Sequence, residues 1–269
     1  MFTIENDGPI SDYLNAFANV ILNHAVLKVN SQNLQITEVE FYYQTSLNDI
    51  HNDPYVHGDD HQLTTECFYF HRQNGKSYKG GTFKGLDITF GNGRDTYGGI
   101  LIRAVIFGNE YIEGPCKVVD KILELSKCDS INKLVDGSSV PLSINNKDQI
   151  MYIEYLEKGR EDMMFSGPRV GLSLPKTRFD AKLNYILRPL RFTTYPNKTT
   201  KYRNLLAMHA LSIHSEEDVC KCFGLKKNIL KGWINSMTGF TGTIADLIEN
   251  GIDKVEHQCA LYGLLKHTL

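Results

Sequence analysis

Two glutamates and a tyrosine share one face of a predicted strand. The stretch LQITEVEFYYQTSLNDIH (34–51) alternates, so that Glu38, Glu40 and Tyr42 point to one side and an apolar set points to the other. A carboxylate can activate water, and an aromatic ring can stack on a flat ligand. A half-exposed strand with solvated acids is the simpler interpretation of this stretch alone.

A polar loop is predicted after the strand, over residues 44–64. It holds His51, His57 and His61 in an H-x5-H-x3-H spacing among aspartates. Long loops in compact domains are often functional, and histidines beside carboxylates can hold a divalent metal. Histidines that contact substrate or solvent are the preferred interpretation, so no metal or other cofactor is predicted. A metal-dependent hydrolase or nuclease stays open as an alternative.

The elements that must position these side chains are mostly strands and hairpins with a few helices. Helical spacing predicts a helix over 12–23, and a hairpin follows over 25–43. LDITFG (86–91) and GGILIRAVIFG (98–108) predict two more strands, and Arg103 interrupts the apolar run of the second. A charge there is costly unless it is paired or faces a cleft. The order predicts an α+β fold with a curved antiparallel β-sheet or partial barrel and flanking helices.

A small helical appendage is predicted at the C-terminal end, with domains at 1–196 and 197–269. Residues 215–237 have a helix-turn-helix pattern with Gly224 in the turn. A DNA-reading helix docks in the major groove in this way, although ordinary helical hairpins share the spacing. The second helix would expose a polar set that consists of Lys226, Lys227, Asn228 and Lys231.

Composition indicates an ordinary globular protein, with 42% hydrophobic and 22% charged residues in 269. No apolar run approaches a membrane span and no signal sequence is recognised, so a cytoplasmic monomer without membrane contact is expected. The net charge of −2 gives no support for nucleic-acid binding, but residues 176–233 hold 12 Lys or Arg against 4 Asp or Glu. Such a region can give a near-neutral protein a positive face, and a merely basic surface is the alternative.

The order of the motifs resembles the alkyladenine (3-methyladenine) DNA glycosylase family. ITEVEFY (36–42) is similar to the IVETEAY strand of that family, and seven short motifs in all follow the family order over about residues 12–195. Among them are LDIT, LIRAV, GPCK, RVGLS and PLRF. Each motif alone is weakly specific. The resemblance implies a DNA partner and an enzyme that flips a base out of DNA and hydrolyses its N-glycosidic bond.

The resemblance implies a role for each residue that matches the catalytic motifs. Glu40 would activate the water, and Tyr42 would stack on the flipped base. Arg103 would help hold the water and the DNA backbone. Val170, in the RVG turn, would complete the water site through its carbonyl. No particular lysine is marked as an amine nucleophile, so simple base removal that leaves an abasic site is expected.

Other positions of the family match less directly. His51 would contact the nucleotide beside the flipped base, and His57 is a rival because the loop is longer here. The family inserts a tyrosine wedge from a hairpin tip into the DNA. The hairpin of this chain differs in length, so Tyr78 is the first candidate for the wedge, with Lys76 and Tyr69 as alternatives.

Asp87 departs from the family, which usually has asparagine at that position of LDIT. In the family that asparagine crowds the amino group of guanine, whereas an ionised aspartate only accepts hydrogen bonds and suits a cytosine amino group. A modified cytosine, such as those of phage DNA, is therefore the expected substrate, with a role in antiviral defence. Repair of alkylated purines and a non-catalytic DNA-binding regulator stay open. An Asp87 that only pairs with a nearby Lys or Arg is the simpler alternative.

Overall fold

The chain forms an α+β structure of two compact units, Met1–Met163 and Met164–Leu269. The α+β class predicted from the sequence is confirmed. Parts of the predicted polar loop (46–50) and of the basic region (175–179) lie outside the described residues. The computed structural model describes residues 2–4, 9–45, 51–136, 142–174 and 180–266.

An antiparallel β-sheet forms the centre of the first unit. The order across it is β9-β1-β2-β7-β6-β3, with β8 beside β7, and β4 and β5 form a separate hairpin. Over the described part of the chain this sheet stays open and does not close into a barrel. The strands are β1 (Ala25–Val29), β2 (Gln32–Thr45), β3 (Thr65–Phe70), β4 (Arg72–Gln73), β5 (Ser77–Tyr78), β6 (Leu86–Phe90), β7 (Thr96–Phe107), β8 (Glu110–Glu113) and β9 (Met151–Tyr155).

The apolar face of β2 packs on the helix α1 (Ile10–Asn23). Phe41 of β2 is fully buried, and its ring lies 6.0 Å from that of Phe90 on β6. Phe17 of α1 contacts the same Phe90 ring at 5.9 Å. Each such aromatic pair contributes about 0.5–1.5 kcal/mol beyond its buried area. Because side chains alternate along β2, its two glutamates lie on the face that does not pack on α1.

Two further helices of the first unit are α2 (Pro115–Ser126) and α3 (Ile131–Asp136). Gly114 precedes α2 with a φ of 116°, a conformation that glycine adopts readily. Pro115 then occupies the first helical position, where its missing N–H costs nothing. Val118 and Ile122 of α2 are fully buried, so this helix closes part of the core.

The second unit holds the antiparallel pair β10 (Phe165–Gly167) and β11 (Arg191–Thr193) together with the C-terminal helices. Its own core includes Leu206, Val219 and Phe223. The sequence placed β10 and β11 in a first domain that ends at 196, and that boundary stays a prediction. The helices are α4 (Asp180–Ile186), α5 (Arg203–Ala210), α6 (Glu216–Phe223), α7 (Lys227–Gly239), α8 (Ile244–Asn250) and α9 (Val255–Leu265).

The helices of the described ranges are short or polar compared with membrane spans. None of them is both long enough and apolar enough to cross a bilayer.

The packing of α9 on α7 gives a matched pair of glycine substitutions. A Cβ at Gly263 of α9 would collide with the backbone oxygen of Met237 on α7, whereas a Cβ at Gly232 of α7 meets no atom within 4 Å. We expect Gly263→Ala to lower the free energy of unfolding by about 1–3 kcal/mol through overpacking. Gly232→Ala should raise it by about 0.5–1 kcal/mol, because alanine loses less backbone entropy. Urea unfolding of both variants measures the difference, and equal midpoints would contradict this packing.

Candidate active site

The two glutamates of β2 are buried rather than solvated. Glu38 and Glu40 are fully buried, and Arg103 of β7 is only 6% exposed. Arg103 Nε donates a hydrogen bond to Glu38 Oε1 at 2.9 Å and lies 3.5 Å from Glu40 Oε1. The interpretation of this strand as half-exposed with solvated acids is therefore wrong. The charge of Arg103 is paired, as its place in an apolar run requires.

An irregularity in the strand pairing accompanies this ion cluster. The register between β2 and β7 shifts on both sides of Glu38, between Ile36 and Glu38 and again between Glu38 and Val39. Bulges of this kind bend a strand and re-aim its side chains, and they are over-represented beside active sites. The shift falls where Glu38 meets Arg103.

Glu40 has a positioned neighbour at each carboxylate oxygen. The Tyr42 hydroxyl donates to Oε2 at 2.9 Å, and Arg103 lies beside Oε1. Burial alone would lower the pKa of Arg103, but the carboxylates of Glu40 and Glu38 raise that pKa above its ordinary value. The arrangement suits a base that is held in a fixed position.

Asp87 lies in the same row of the sheet as Glu40. Leu101 of β7 is paired with Glu40 on one side and with Asp87 on the other, and Tyr69 of β3 is paired with Asp87. Directly opposed residues of antiparallel strands share a face, so these four side chains share one face of the sheet. With strands about 4.8 Å apart, the backbones at Glu40 and Asp87 are about 10 Å apart.

A histidine and a glutamine are the partners of Asp87. His71 Nε2 lies 2.7 Å from Asp87 Oδ1, and the Gln62 side-chain amide donates to Oδ2 at 3.3 Å. A Cβ at Gly99 would lie 2.5 Å from Asp87 Oδ2 and 2.9 Å from Gln62 Nε2. The glycine therefore makes room for the buried carboxylate. The observed partners differ from the Lys or Arg of the simpler alternative.

The two histidine candidates have different surroundings. The ring of His51 contacts that of Tyr43, with centroids 6.1 Å apart. The ring of His57 contacts that of His71 at 4.4 Å. Desolvation, followed by the proximity of His71, lowers the pKa of His57 to about 4. The structure thus joins His57 to the Asp87 group.

A polar cavity of about 480 Å³ opens beside His57. Lys79 Nζ lies 3.2 Å from His57 Nε2, so the ammonium donates to that nitrogen. Arg72 lies 3.6 Å from Asp59, which balances charge within the lining. A cavity with donors and acceptors of both signs suits a polar ligand. Its lining includes His57, Asp59, Asp60, Tyr69, Arg72 and Lys79.

The three candidates for the residue that inserts into DNA differ in their surroundings. Tyr78 packs on the ring of Phe70, with centroids 6.4 Å apart, and Tyr69 is only 1% exposed. Lys76 lies in the turn of the β4–β5 hairpin and is exposed. Sequence reasoning missed Phe83, which is 76% exposed on a short 3-10 turn before β6. Its signal was an aromatic residue within a glycine-rich segment.

The histidines of the metal alternative do not form one cluster. His61 contacts Asp59 and the ring of Tyr69, while His51 and His57 have the separate partners given above. Among the residues that the structure describes, no group of three or more His, Cys, Asp or Glu is arranged to hold a metal ion. The sequence spacing is therefore not matched by a convergence of side chains.

Within the second unit, α6 and α7 form the helix-turn-helix that the sequence predicted. Gly224 ends α6 with a φ of 60°, and Val219, Phe223 and Leu230 are buried between the helices and their neighbours. The start of α7 is open to solvent. Its exposed polar residues are Lys226, Lys227, Asn228 and Lys231.

Val170 follows β10 and also belongs to the second unit, where it is half-buried. Its role at the water site stays a prediction. Sequence reasoning gave no role to Arg169 and Arg191 of the same unit, which are almost completely buried. Arg191 donates to the backbone oxygen of Lys201 at 2.9 Å. A buried guanidinium group needs such an acceptor, so Arg191 is built into this unit.

The fold and the buried carboxylate–arginine cluster define an α+β protein with a candidate acid–base site. No protein-family model matches the chain. The chain belongs to the same family as the uncharacterized protein L759 of Acanthamoeba polyphaga mimivirus, with 37% identity over 209 residues. The match covers 72% of this chain and 92% of the relative. The relative's name records no activity, so the family assigns none.

The ion cluster predicts a strong coupling between Arg103 and Glu38. Arg103→Met leaves buried carboxylates without their guanidinium and should lower the free energy of unfolding by about 3–5 kcal/mol. Adding Glu38→Gln to that variant removes one buried charge and should restore part of the loss. Urea unfolding of both single variants and the double variant measures the coupling. Strict additivity of the two substitutions would contradict a direct pair.

Proposed function

We propose that the protein is a monofunctional DNA glycosylase. It would flip a modified base out of DNA and hydrolyse the N-glycosidic bond, which leaves an abasic site. The observation that carries the proposal is the buried Glu40 carboxylate, held between Arg103 and the Tyr42 hydroxyl. The resemblance to alkyladenine glycosylases gives these same three residues the water-activating, water-holding and base-stacking roles.

The chemistry of base removal fits these residue types. A base inside a duplex is out of reach, so it must first rotate into a pocket. Stacking on an aromatic ring such as that of Tyr42 contributes about 1–3 kcal/mol per base. Cleavage of the bond builds positive charge on the sugar, which the Glu40 carboxylate stabilises while it takes a proton from the attacking water.

A modified cytosine is the proposed substrate. Asp87 carries one contact on each oxygen, from His71 and Gln62, and each oxygen has a further lone pair that can accept from an amino group. Such a substrate fits a role in defence against phage DNA. Alkylated purines, removed in base-excision repair, are the alternative substrate class.

We propose that the helix-turn-helix of the second unit contacts duplex DNA. Lys226 precedes α7, Lys227 begins its first turn and Lys231 follows that turn, and all three are exposed to solvent. A recognition helix contacts DNA through its N-terminal residues. A DNA-binding regulator without catalysis would use the same helix, and this geometry is the observation in favour of that second candidate.

A base-release assay tests the proposed activity. Labelled DNAs carry hydroxymethylcytosine with and without glucose, uracil, hypoxanthine or alkylated purines, and alkali reveals abasic sites. We expect wild type to release one class of base and Glu40→Gln to lower the rate by about 10²–10⁴-fold. Glu110→Gln, at an exposed glutamate of β8, is the matched control and should retain the wild-type rate.

The outcomes of this assay separate the candidates. Binding without release from any DNA would favour the regulator, whereas activity that needs added metal would favour a nuclease. Equal rates for wild type and Glu40→Gln would overturn the assignment of Glu40.

The salt dependence of DNA binding tests the helix-turn-helix. Replacing Lys226, Lys227 and Lys231 by glutamine should weaken binding and reduce the slope of log K against log salt by about 0.9 for each lost phosphate contact. The control replaces Lys147 and Lys158, which are exposed in the first unit, and should keep the slope. Fluorescence anisotropy over a salt series measures both. An unchanged slope in the α7 variant would assign these lysines to a merely solvated surface.

A further inference from the structure

The His71–Asp87 pair occupies space that two glycines leave open. The side chains are 13% and 2% exposed. A Cβ at Gly85 would lie 2.5 Å from His71 Nδ1, and a Cβ at Gly99 would lie 2.5 Å from Asp87 Oδ2. A buried ion pair is seldom worth its desolvation cost for stability alone. The space left by Gly85 and Gly99 therefore indicates that this pair serves more than stability.

The neighbouring histidines His57 and His71 have different partners. His57, whose ring touches His71, has its pKa lowered to about 4 by desolvation and by nearby charge. It is therefore uncharged at neutral pH, and Lys79 donates to its Nε2. His71 Nε2 instead lies 2.7 Å from Asp87 Oδ1, within hydrogen-bond distance of the carboxyl group.

The pair faces the same side of the sheet as Glu40. Leu101 is the residue between Glu40 and Asp87 in the row, so an apolar side chain separates the two carboxyl groups. The backbones that carry the two carboxyl groups are about 10 Å apart. The cavity lined by His57 and Tyr69 opens beside His71, whose ring contacts the rings of both. Paired acids and bases that flank a scissile bond are the usual arrangement for glycosidic hydrolysis.

We propose that Asp87 donates a proton to the departing base and that His71 supplies that proton. This inference rests on the proposed glycosylase function. Asp87 is then a catalytic residue, because it touches the base, and His71 is a positioning residue that acts through it. The substrate class is a neutral base that leaves poorly unless it is protonated.

The proton transfers balance over one turnover. The bond from C1′ to the base nitrogen breaks, its electron pair goes to the base, and a ring nitrogen of the base takes the proton from Asp87. His71 passes its Nε2 proton to Asp87. The water oxygen bonds to C1′, and Glu40 takes the water proton. Glu40 then releases a proton to solvent and His71 regains one, so none is consumed.

The hydrogen-bonding edge of a cytosine-like base complements a protonated Asp87, which both accepts and donates a hydrogen bond. The carbonyl oxygen of a protonated Asp87 accepts from the amino group, while its hydroxyl donates to the neighbouring ring nitrogen. Recognition and protonation would thus use one carboxyl group. The same contact is weaker with the ionised carboxylate, which can only accept.

Several charged and titratable groups lie around the pair. They come from the loop before β3, from β3 and from the β4–β5 hairpin with the residues after it. The charged and titratable side chains are those of His57, Asp59, Tyr69, Arg72 and Lys79.

The pH dependence of kcat tests the proposal on whichever DNA of the base-release panel wild type cleaves fastest. We expect a bell-shaped wild-type profile, because Glu40 must be ionised and the pair must be protonated. His71→Gln can donate a hydrogen bond but cannot supply a proton, so the decline at high pH should disappear and kcat should fall about 10²–10⁴-fold. His214→Gln, in the second unit, is the control and should keep the wild-type profile.

Asp87→Asn supplies a second measurement that is independent of His71. An asparagine keeps an acceptor and a donor toward the base but has no proton to transfer, so KM should hold while kcat falls. Thermal unfolding of both variants identifies any loss of folded protein. A wild-type profile in His71→Gln, or a raised KM with unchanged kcat in Asp87→Asn, would overturn the acid role while the glycosylase stands. No release by wild type from any DNA would overturn both.

Discussion

The structure of the first unit depends on one buried ion cluster in which Arg103 serves two carboxylates. Removing charges from water costs several kcal/mol for each ion, and only close pairing offsets that cost. The cluster therefore constrains β2 and β7 to meet with their register shifted around Glu38, rather than in a regular ladder. The same pairing fixes Glu40 with Tyr42 beside it. Well-packed apolar residues often stabilise a core as well as a buried ion cluster does, so stability alone does not account for this one.

On the polar face of the sheet, two glycines leave the space that buried polar side chains occupy. Gly99 admits Asp87 and Gln62, and Gly85 admits His71. On the opposite face, Phe41 and its aromatic neighbours supply the burial that stabilises the sheet. One face thus carries the apolar packing and the other carries a buried polar network. Natural proteins break the rules of core packing mainly at functional sites.

The sequence predicted the strands and their faces better than the contacts between distant segments. Strict alternation along β2 was enough to place Glu40 and Tyr42 together, because the side-chain period of a strand is two. The bulge at Glu38 leaves no signal in alternation, so the pairing with Arg103 did not follow from it. The contact of His71 with Asp87 was missed as well, because it depends on how β3 and β6 are registered after a hairpin of irregular length. Exposure was misjudged for the acids, since burial depends on what covers a strand.

The pairing of β1 with β9 has a consequence for synthesis of the chain. Val29 lies opposite Met151, and Ala25 lies opposite Tyr155, so the edge of the sheet is completed by a segment made much later. At about 5–20 residues per second, roughly 6–25 s pass on the ribosome before β1 can be covered. Until then a row of apolar residues and unsatisfied backbone groups is exposed. During that interval the uncovered edge of β1 is open to pairing with another strand, which is the risk that any exposed sheet edge carries.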